Sequence, residues 1–466
     1  MARLVVVSNR VALPDSTTRA GGLAIALKAA LRPQNGVWFG WSGKVSSSTE
    51  LKTVEHDNIT YVTADLARSD YQEFYNGFAN RVLWPILHYR LDLVEFTRRD
   101  FGGYTRVNEY FASQLDTVLR PDDIIWVHDY HFIPLAKALR DRGHRNRIGF
   151  FLHIPFPPPE ILTALPSHDR LVPALCHYDL VGFQTDIDAG NFSRYLALER
   201  GLPWASGNSF QFYDRVVEFG AFPIGVEAER FNKVARRAVH TKFVKDVVDS
   251  LSGREMIIGV DRLDYSKGLP LRMDAFEHFL QLYPDWRSKC TYLQITPRSR
   301  TEIPEYEEIG EQVAARAGRI NGAYGEANWT PLRYVNRAHS HTALAGLYRN
   351  ARAALVTPLR DGMNLVAKEY VAAQDADNPG VLILSRFAGA AREMKAALLV
   401  NPYDTEGVAS AINQALSMPL AERRQRHDEL YKGLVEHDIA RWAEQFLSAL
   451  RRPPQTVDWP SKFRVV

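Results

Sequence analysis

Short, continuous apolar runs recur along nearly the whole chain, and a stretch of helical period follows each one. In the first half they are LVVVSN (4–9), DIIWVHD (123–129), IGFFLHI (148–154) and LVGFQ (180–184); in the second, EMIIGVDRLD (255–264), CTYLQIT (290–296), AALVTP (353–358) and GVLILS (380–385). A strand that is apolar on both faces must be covered on both faces, and helices alternating with such strands supply the cover. The pattern predicts α/β architecture with parallel sheets. Because 466 residues exceed what one core usually serves, two doubly wound sheets are expected. The first strand set ends in FPIG and passes into the charged helical sequence VEAERFNKVARRA, which puts the expected domain break near residue 227.

Composition removes several classes of function. The formal charge is only +3, and the arginine doublets (Arg98-Arg99, Arg236-Arg237, Arg423-Arg424, Arg451-Arg452) are scattered rather than gathered into a basic stripe with interleaved aromatics. No nucleic-acid footprint is expected, while small anions stay possible partners. Cys176 and Cys290, the only cysteines, fit neither a disulfide framework nor a zinc-ligand spacing, so a reducing, cytoplasmic setting is the default. MARLVVVSNR runs directly into strand-like sequence, and no cleavage-type signal or membrane-length apolar stretch follows; no membrane partner is expected.

In open α/β sheets ligands sit beyond the carboxyl ends of the strands. That rule directs attention to Ser8-Asn9-Arg10, His128-Asp129, His153, Arg262 to Lys267, Pro297 to Arg300, and Asp361 onward. Gly21-Gly22 in RAGGLAIALKAALR opens a helix where exposed N–H groups favour phosphate, yet Gly-Gly alone leaves a structural turn equally open. Neither a GxGxxG fingerprint nor a GxxxxGK[ST] loop occurs, which disfavours a simple nicotinamide dehydrogenase and a P-loop nucleotidase. In GVDRLDYSKGLP, Arg262 and Lys267 follow a strand end and could grip a diphosphate; an ordinary ion pair with Asp261 or Asp264 is the competing reading. In DGMNLVAKE (361–369), Asp361 reads first as a helix cap and Glu369 as a solvated charge. The two histidines of HDYH (128–131) lack a further ligand for a metal, and TDID (185–188) reads better as a helix cap than as a metal–nucleotide site. FGWSGK lacks the second half of a GxSxG elbow, so covalent serine catalysis is not expected. The aromatics Trp38, Trp41, Tyr75, Trp84 and Tyr89 belong to a core more often than to a sugar platform.

Taken in order, VVVSNR, AGGLA, GVWFGWSG, VLWPILHYR, IIWVHDYH, IGFFLHIPFPPPE, YDLVGFQT, RLDYSKGLP, GRINGAYG, TPLRDGMNLVAKEYVAAQ, FAGAA and VNPYD resemble the trehalose-6-phosphate synthases, nucleotide-sugar-dependent retaining glucosyltransferases. The resemblance spans nearly the whole chain. It implies the GT-B fold: two Rossmann-like, doubly wound domains facing across a cleft. Residues 1–227 would take the acceptor and 228–436 the nucleotide sugar, with a last helix from about 437 in the segment 437–466 returning to the first domain.

The implied reaction moves glucose from UDP-glucose to glucose 6-phosphate with retention, by front-face substitution without an enzymic nucleophile, cofactor or metal. Arg10 and Arg300 match the family's acceptor-phosphate residues, and Trp41, Tyr75, Trp84 and Asp129 its acceptor-sugar contacts. On the donor side the matches are Gly21, Gly22, Arg262, Lys267, Ile295, His339, Asp361, Gly362, Met363, Asn364, Leu365, Val366, Ala367, Lys368 and Glu369. Arg262 and Lys267 would hold the leaving diphosphate, Asp361 the donor-glucose hydroxyls and Glu369 the ribose; His153 would contact the transferred glucose as a positioning group, with general-base action the lesser alternative. Lys368, on a neighbouring face, keeps the reading of an ordinary charge even though its backbone belongs to the donor segment. His339 stands where relatives often have Phe or another apolar residue, which leaves the donor base open; GDP-glucose or another nucleotide glucose as donor, or a related sugar-phosphate acceptor, is the alternative within the class. A homo-oligomer, dimer or tetramer, is expected. A nucleotide-sugar sensor without turnover would show lost charge at Arg10, Arg262, Lys267 or Asp361, all of which are present, and a pyridoxal-phosphate phosphorylase would need a cofactor lysine.

Overall fold

A computed structural model of the chain describes residues 2–14, 22–48, 50–202, 208–213, 215–298 and 304–453. The chain divides into two compact units, one of Met1–Pro223 with Ala440–Val466 and one of Ile224–Ile439.

The first unit is built on strands β1 (Leu4–Arg10), β2 (Val37–Val45), β3 (Lys52–His56), β4 (Ile59–Leu66), β5 (Ile124–His128), β6 (Arg147–Phe151), β7 (Leu180–Phe183), β8 (Ser209–Phe212) and β9 (Arg215–Ala221). They lie in the order β3-β4-β2-β1-β5-β6-β7-β9-β8. Pairing is parallel except at the two edges, where β3 and β8 turn back as antiparallel strands. Leu4 to Val7 are completely buried, as a central strand covered on both faces must be. The order reverses at β1: β2 and β4 extend one side, and β5, β6 and β7 the other. Val7 pairs with Val127, so the carboxyl ends of β1 and β5 lie side by side at this switch point. The helix Ile439–Arg451 packs on the same sheet: Trp442 and Phe446 lie 5.0 and 4.8 Å from Trp126 between ring centroids. Phe446 fills the space left by Gly149 and Gly182, and Arg147 donates to the Leu450 carbonyl at 3.0 Å.

Residues Tyr71–Leu83 wind more loosely than an α-helix, with the following Trp84 N–H bonded to the Ala79 carbonyl five residues back. Steps of 4, 5 and 4 residues then bring Tyr71, Tyr75, Asn80 and Trp84 to one face. The contacts follow that face: Tyr71 and Tyr75 stack at 5.6 Å, and Asn80 and Trp84 both meet Tyr130.

The second unit carries β10 (Glu255–Val260), β11 (Cys290–Ile295), β12 (Leu332–Val335), β13 (Ala353–Val356), β14 (Val381–Ser385) and β15 (Leu398–Val400), all parallel, in the order β12-β11-β10-β13-β14-β15. Its order reverses at β10, where Ile257 pairs with Ala353 of β13. One face of the sheet is closed by Leu269, Met273, Phe276, Phe279 and Leu280, a stripe at helical spacing on the helix Leu269–Leu282. No helix among the described residues is long and apolar enough to cross a membrane.

Candidate active site

At the first switch point β1 delivers Arg10. A register shift between Ser8 and Arg10 re-aims the strand end, and Ser8 Oγ, itself accepting from Trp38 Nε1, donates to the Arg10 carbonyl at 2.8 Å. The guanidinium lies over the Trp41 ring at 4.7 Å, a cation–π contact that holds it extended at the protein surface. Trp41 is buried and spends its indole N–H on the Lys44 carbonyl, so it serves as a floor under Arg10 and not as an open sugar contact. Tyr75 leans on Trp41 at 5.5 Å and stacks on His131 at 5.9 Å, and Trp84 packs on Tyr130 and His88.

From β5 the chain delivers His128 and Asp129. Asp129 has φ 75 and ψ 165, a conformation that disfavours side chains; its N–H donates to the Phe151 carbonyl at 2.8 Å, and its carboxylate accepts from the His153 N–H at 3.3 Å. His128 Nδ1 and His153 Nε2 lie 3.0 Å apart, a hydrogen bond between two rings packed among Phe151 and Trp442. Burial holds His153 down to about 3 and, with the neighbouring His153, holds His128 well below the usual range. Both rings are neutral at physiological pH, so His153 offers hydrogen bonds and shape, not charge.

At the second switch point the loops after β10 and β13 meet through an ion pair: Lys267 Nζ to Asp361 Oδ2, 2.5 Å, both side chains largely buried. The acids next to Lys267 in sequence have other partners. Asp261 pairs with Arg272, and Asp264 accepts from the Ser266 N–H and hydroxyl and from Tyr306. Gly268, at φ 64, packs so tightly that a Cβ would come 2.9 Å from the Thr357 carbonyl oxygen, which keeps the two loops in contact. Arg262 stands exposed just past β10.

Asp361 also accepts from Asn364 Nδ2 at 3.0 Å, and Asn364, at φ 74, caps the helix Leu365–Ala373 through the Ala367 N–H. A Cβ at Gly389 would overlap the Gly362 carbonyl oxygen, so only glycine admits this close approach. Met363 and Ala367 are buried, as is Ile295 at the end of β11, while Leu365 and Val366 are half-buried. Glu369 is only 8% exposed, and burial pushes its carboxyl up to about 8; His341 Nε2 lies 3.6 Å from it. His339 stacks on Phe243 at 5.0 Å, with burial lowering its pKa, so the ring presents a neutral aromatic face.

The reading of Lys368 as an ordinary charge on a free face needs correction. It is 1% exposed, and its ammonium binds Glu393 at 2.6 Å and the Ile224 carbonyl at 2.7 Å, so its side chain braces the helix. In TDID the cap is Thr185, which accepts from the Asp188 N–H; Asp188 in turn accepts from the Phe156 N–H. Among the described residues no group of three His, Cys, Asp or Glu side chains could hold a metal ion. Gly21 and Arg300 lie outside the described residues, and of Gly22 the structure gives only that it opens the helix Gly22–Leu31.

Sequence reasoning passed over Asn80 and Arg272, and it placed His128 at a strand end without its pairing to His153. For Arg272 a signal existed: in LPLRMDAFEHF a charge falls on the stripe of Leu269, Met273 and Phe276, which is the buried face of its helix.

A family model described as glycosyltransferase family 20 matches residues 5–452. The trehalose-6-phosphate synthase of Sinorhizobium fredii is 54% identical over 456 residues, 97% of this chain and 98% of that one. An alpha,alpha-trehalose-phosphate synthase (UDP-forming) from Burkholderia xenovorans, solved in complex with glucose-6-phosphate, is similar with TM-score 0.93 and 47% identity, covering 97% of this chain and 100% of that one. A structure from E. coli, described as trehalose-6-phosphate bound with UDP-2-fluoro glucose, gives TM-score 0.93 and 48% identity over 97% of this chain and 100% of that one.

Proposed function

This chain belongs to glycosyltransferase family 20, and on that premise we propose that it transfers glucose from UDP-glucose to glucose 6-phosphate with retention, giving α,α-trehalose 6-phosphate and UDP. It is a hexosyltransferase with the two parallel-sheet α/β domains of the GT-B class. UDP as the leaving group and glucose 6-phosphate as the acceptor are supported by the relatives' complexes with UDP-2-fluoro glucose and with glucose-6-phosphate. The observation in this chain that supports the reading is the Lys267–Asp361 pair at the second switch point, a cation and a carboxylate held 2.5 Å apart beyond the carboxyl ends of adjacent strands.

In the proposed reaction the bond from the anomeric carbon to the diphosphate oxygen breaks, and a bond to the acceptor's anomeric hydroxyl oxygen forms on the same face. The hydroxyl proton passes to the departing diphosphate oxygen, so no enzymic nucleophile is needed. Lys267 and Arg262 stabilise the charge that develops on the diphosphate, a role that needs no bound metal. Asp361 holds hydroxyls of the transferred glucose, aided by the backbone N–H groups from Gly362 to Asn364, and Glu369 takes the ribose. His153, made a weak base by burial that holds its pKa down to about 3, positions the sugar rather than removing a proton. Arg10, with Arg300, binds the acceptor phosphate, and Tyr75, Trp84 and Asp129 shape the acceptor pocket over Trp41. A neutral, stacked His339 supports its use as an aromatic contact to the nucleobase in place of Phe. A reducing, cytoplasmic setting completes the proposal, in keeping with Cys176 and Cys290 both being free thiols.

Incubation of the pure protein with UDP-glucose and glucose 6-phosphate should release UDP and form a nonreducing sugar phosphate. A panel with GDP-glucose and other glucose nucleotides ranks the donors, and no product from any of them would refute the reading.

A further inference from the structure

Arg272 sits one turn into the helix Leu269–Leu282 with its guanidinium wholly buried. It donates from Nη1 to Asp261 Oδ2 at 2.5 Å and to Gln294 Oε1 at 3.2 Å, from Nε to Thr357 Oγ1 at 2.9 Å, and from Nη2 to the Lys267 carbonyl at 3.1 Å. These acceptors come from separate parts of the second switch point. Asp261 is the first residue past β10, Thr357 the first past β13, Gln294 adjoins Ile295 at the end of β11, and Lys267 ends the short loop after β10. A single planar fork therefore spans three adjacent strand ends and the loop that presents the cation.

Packing alone does not call for a charge at this position. Leu269, Met273 and Phe276 surround it on the helix, and a buried cation is tolerated only when paired and fully hydrogen-bonded; an apolar side chain of similar length would close the core at lower cost. What an apolar side chain cannot do is fix those four acceptors relative to one another. The pair at its centre is itself costly: burial pushes the Asp261 carboxyl up, against the pull of Arg272 and Lys267.

We propose that Arg272 is the positioning residue of the donor site, holding the loops after β10 and β13 so that Lys267 and Asp361 meet each other and the leaving diphosphate. The proposal rests on the transfer reaction given above. Arg272 touches no substrate; it acts through Lys267 and through the Thr357-to-Asp361 loop.

Arg272→Lys keeps a cation for Asp261, but one ammonium cannot reach Gln294, Thr357 and the Lys267 carbonyl together. Assayed well below its melting temperature, this variant should lose roughly tenfold to a hundredfold in kcat, the scale of a displaced catalytic group. KM for glucose 6-phosphate should stay unchanged, and calorimetry with UDP itself should show weaker binding. In a Lys267→Ala background the same substitution should cost severalfold less than in the wild-type protein, because one of the two groups it positions is gone and only the Thr357-to-Asp361 loop is left to displace. Thr357→Val, which removes one bond and leaves Arg272 in place, should give a smaller loss of the same kind and keeps the test open should Arg272→Lys fold poorly. A wild-type kcat and UDP affinity in both single variants, or losses that multiply in the Lys267→Ala background, would overturn the proposal. If the wild-type protein makes no sugar phosphate at all, the reaction itself is wrong, and the ratio of UDP affinities still decides whether Arg272 shapes this pocket.

Discussion

Glu369→Gln tests the donor site through its protons. The carboxyl is buried on the helix Leu365–Ala373 and pushed from its ordinary 4.5 up to about 8. Below pH 4.5 folded and unfolded chains both hold the proton, and the group contributes no pH dependence. Between 4.5 and 8 the unfolded chain releases it while the folded chain keeps it, so stability falls as pH rises; above 8 the whole penalty is present. The difference between 8 and 4.5 corresponds to a penalty of up to about 5 kcal/mol. Glutamine has the same shape and no proton to lose. Its advantage over Glu369 should be small at pH 5, grow through pH 8 and level off at pH 9, a gap of several degrees or more in thermal midpoint. Donor binding should respond in the opposite sense. Ribose hydroxyls donate best to an ionised carboxylate, so wild-type affinity for UDP-glucose should rise from pH 6 to pH 9 with release of a proton, measured by calorimetry in buffers of different ionisation enthalpy. The variant should bind more weakly with no proton released from this site. A stability difference that does not change with pH, or UDP-glucose binding untouched by the substitution, would refute the reasoning.

Lys267→Ala should lower kcat by roughly ten- to a thousandfold while the fold persists, since it removes charge stabilisation of the leaving group; an unchanged rate would return the Lys267–Asp361 contact to an ordinary ion pair. Arg10→Ala should weaken glucose 6-phosphate relative to unphosphorylated glucose by about 1.5 to 3 kcal/mol, and equal losses for both acceptors would remove it from the phosphate site. Asn364→Gly relieves a backbone at φ 74 but deletes the amide that holds Asp361, so the melting temperature should change little while kcat/KM for UDP-glucose falls severalfold; an intact kcat/KM would show that Asp361 needs no such support.

The parallel strands were legible because burial on both faces makes them mostly apolar: VVV of β1, IIW of β5 and VLIL of β14 stand out from any helix around them. The edges were not. KTVEH of β3 is exposed throughout and carries charge, and only the turn at Asp57-Asn58, both at positive φ, hints that it folds back on β4. Lys267 and Asp361 were legible as residues that follow strand ends, but their pairing, 94 residues apart, is a product of β10 lying beside β13. Tyr75 and Trp84 were legible as aromatics, yet the loose winding of residues 71–83 that puts them on one face has no periodic signature, because nine-residue spacing falls on different faces of an ordinary α-helix. Lys368 misled because a lysine beside a glutamate on a helix reads as solvated, and only the fold brings Glu393 and the Ile224 carbonyl to it.

The two switch points share a backbone device. Each carries a non-glycine residue held at positive φ, Asp129 at 75 and Asn364 at 74. Such backbones cost on the order of 1–3 kcal/mol apiece and persist only where neighbouring bonds over-determine them. Asp129 is held by the Phe151 carbonyl and the His153 N–H, and Asn364 by its cap on Ala367 and its bond to Asp361. Glycine would release the strain at either position, but it would also release the side chain that ties strand end to neighbour: Asp129 fixes the backbone of His153, and Asn364 fixes the carboxylate that meets Lys267. The strain is thus the local cost of orienting groups before substrate arrives. The front-face transfer proposed above, which uses no enzymic nucleophile, requires orientation most, since every remaining contribution of the protein would depend on charges and dipoles already standing where the leaving group will be.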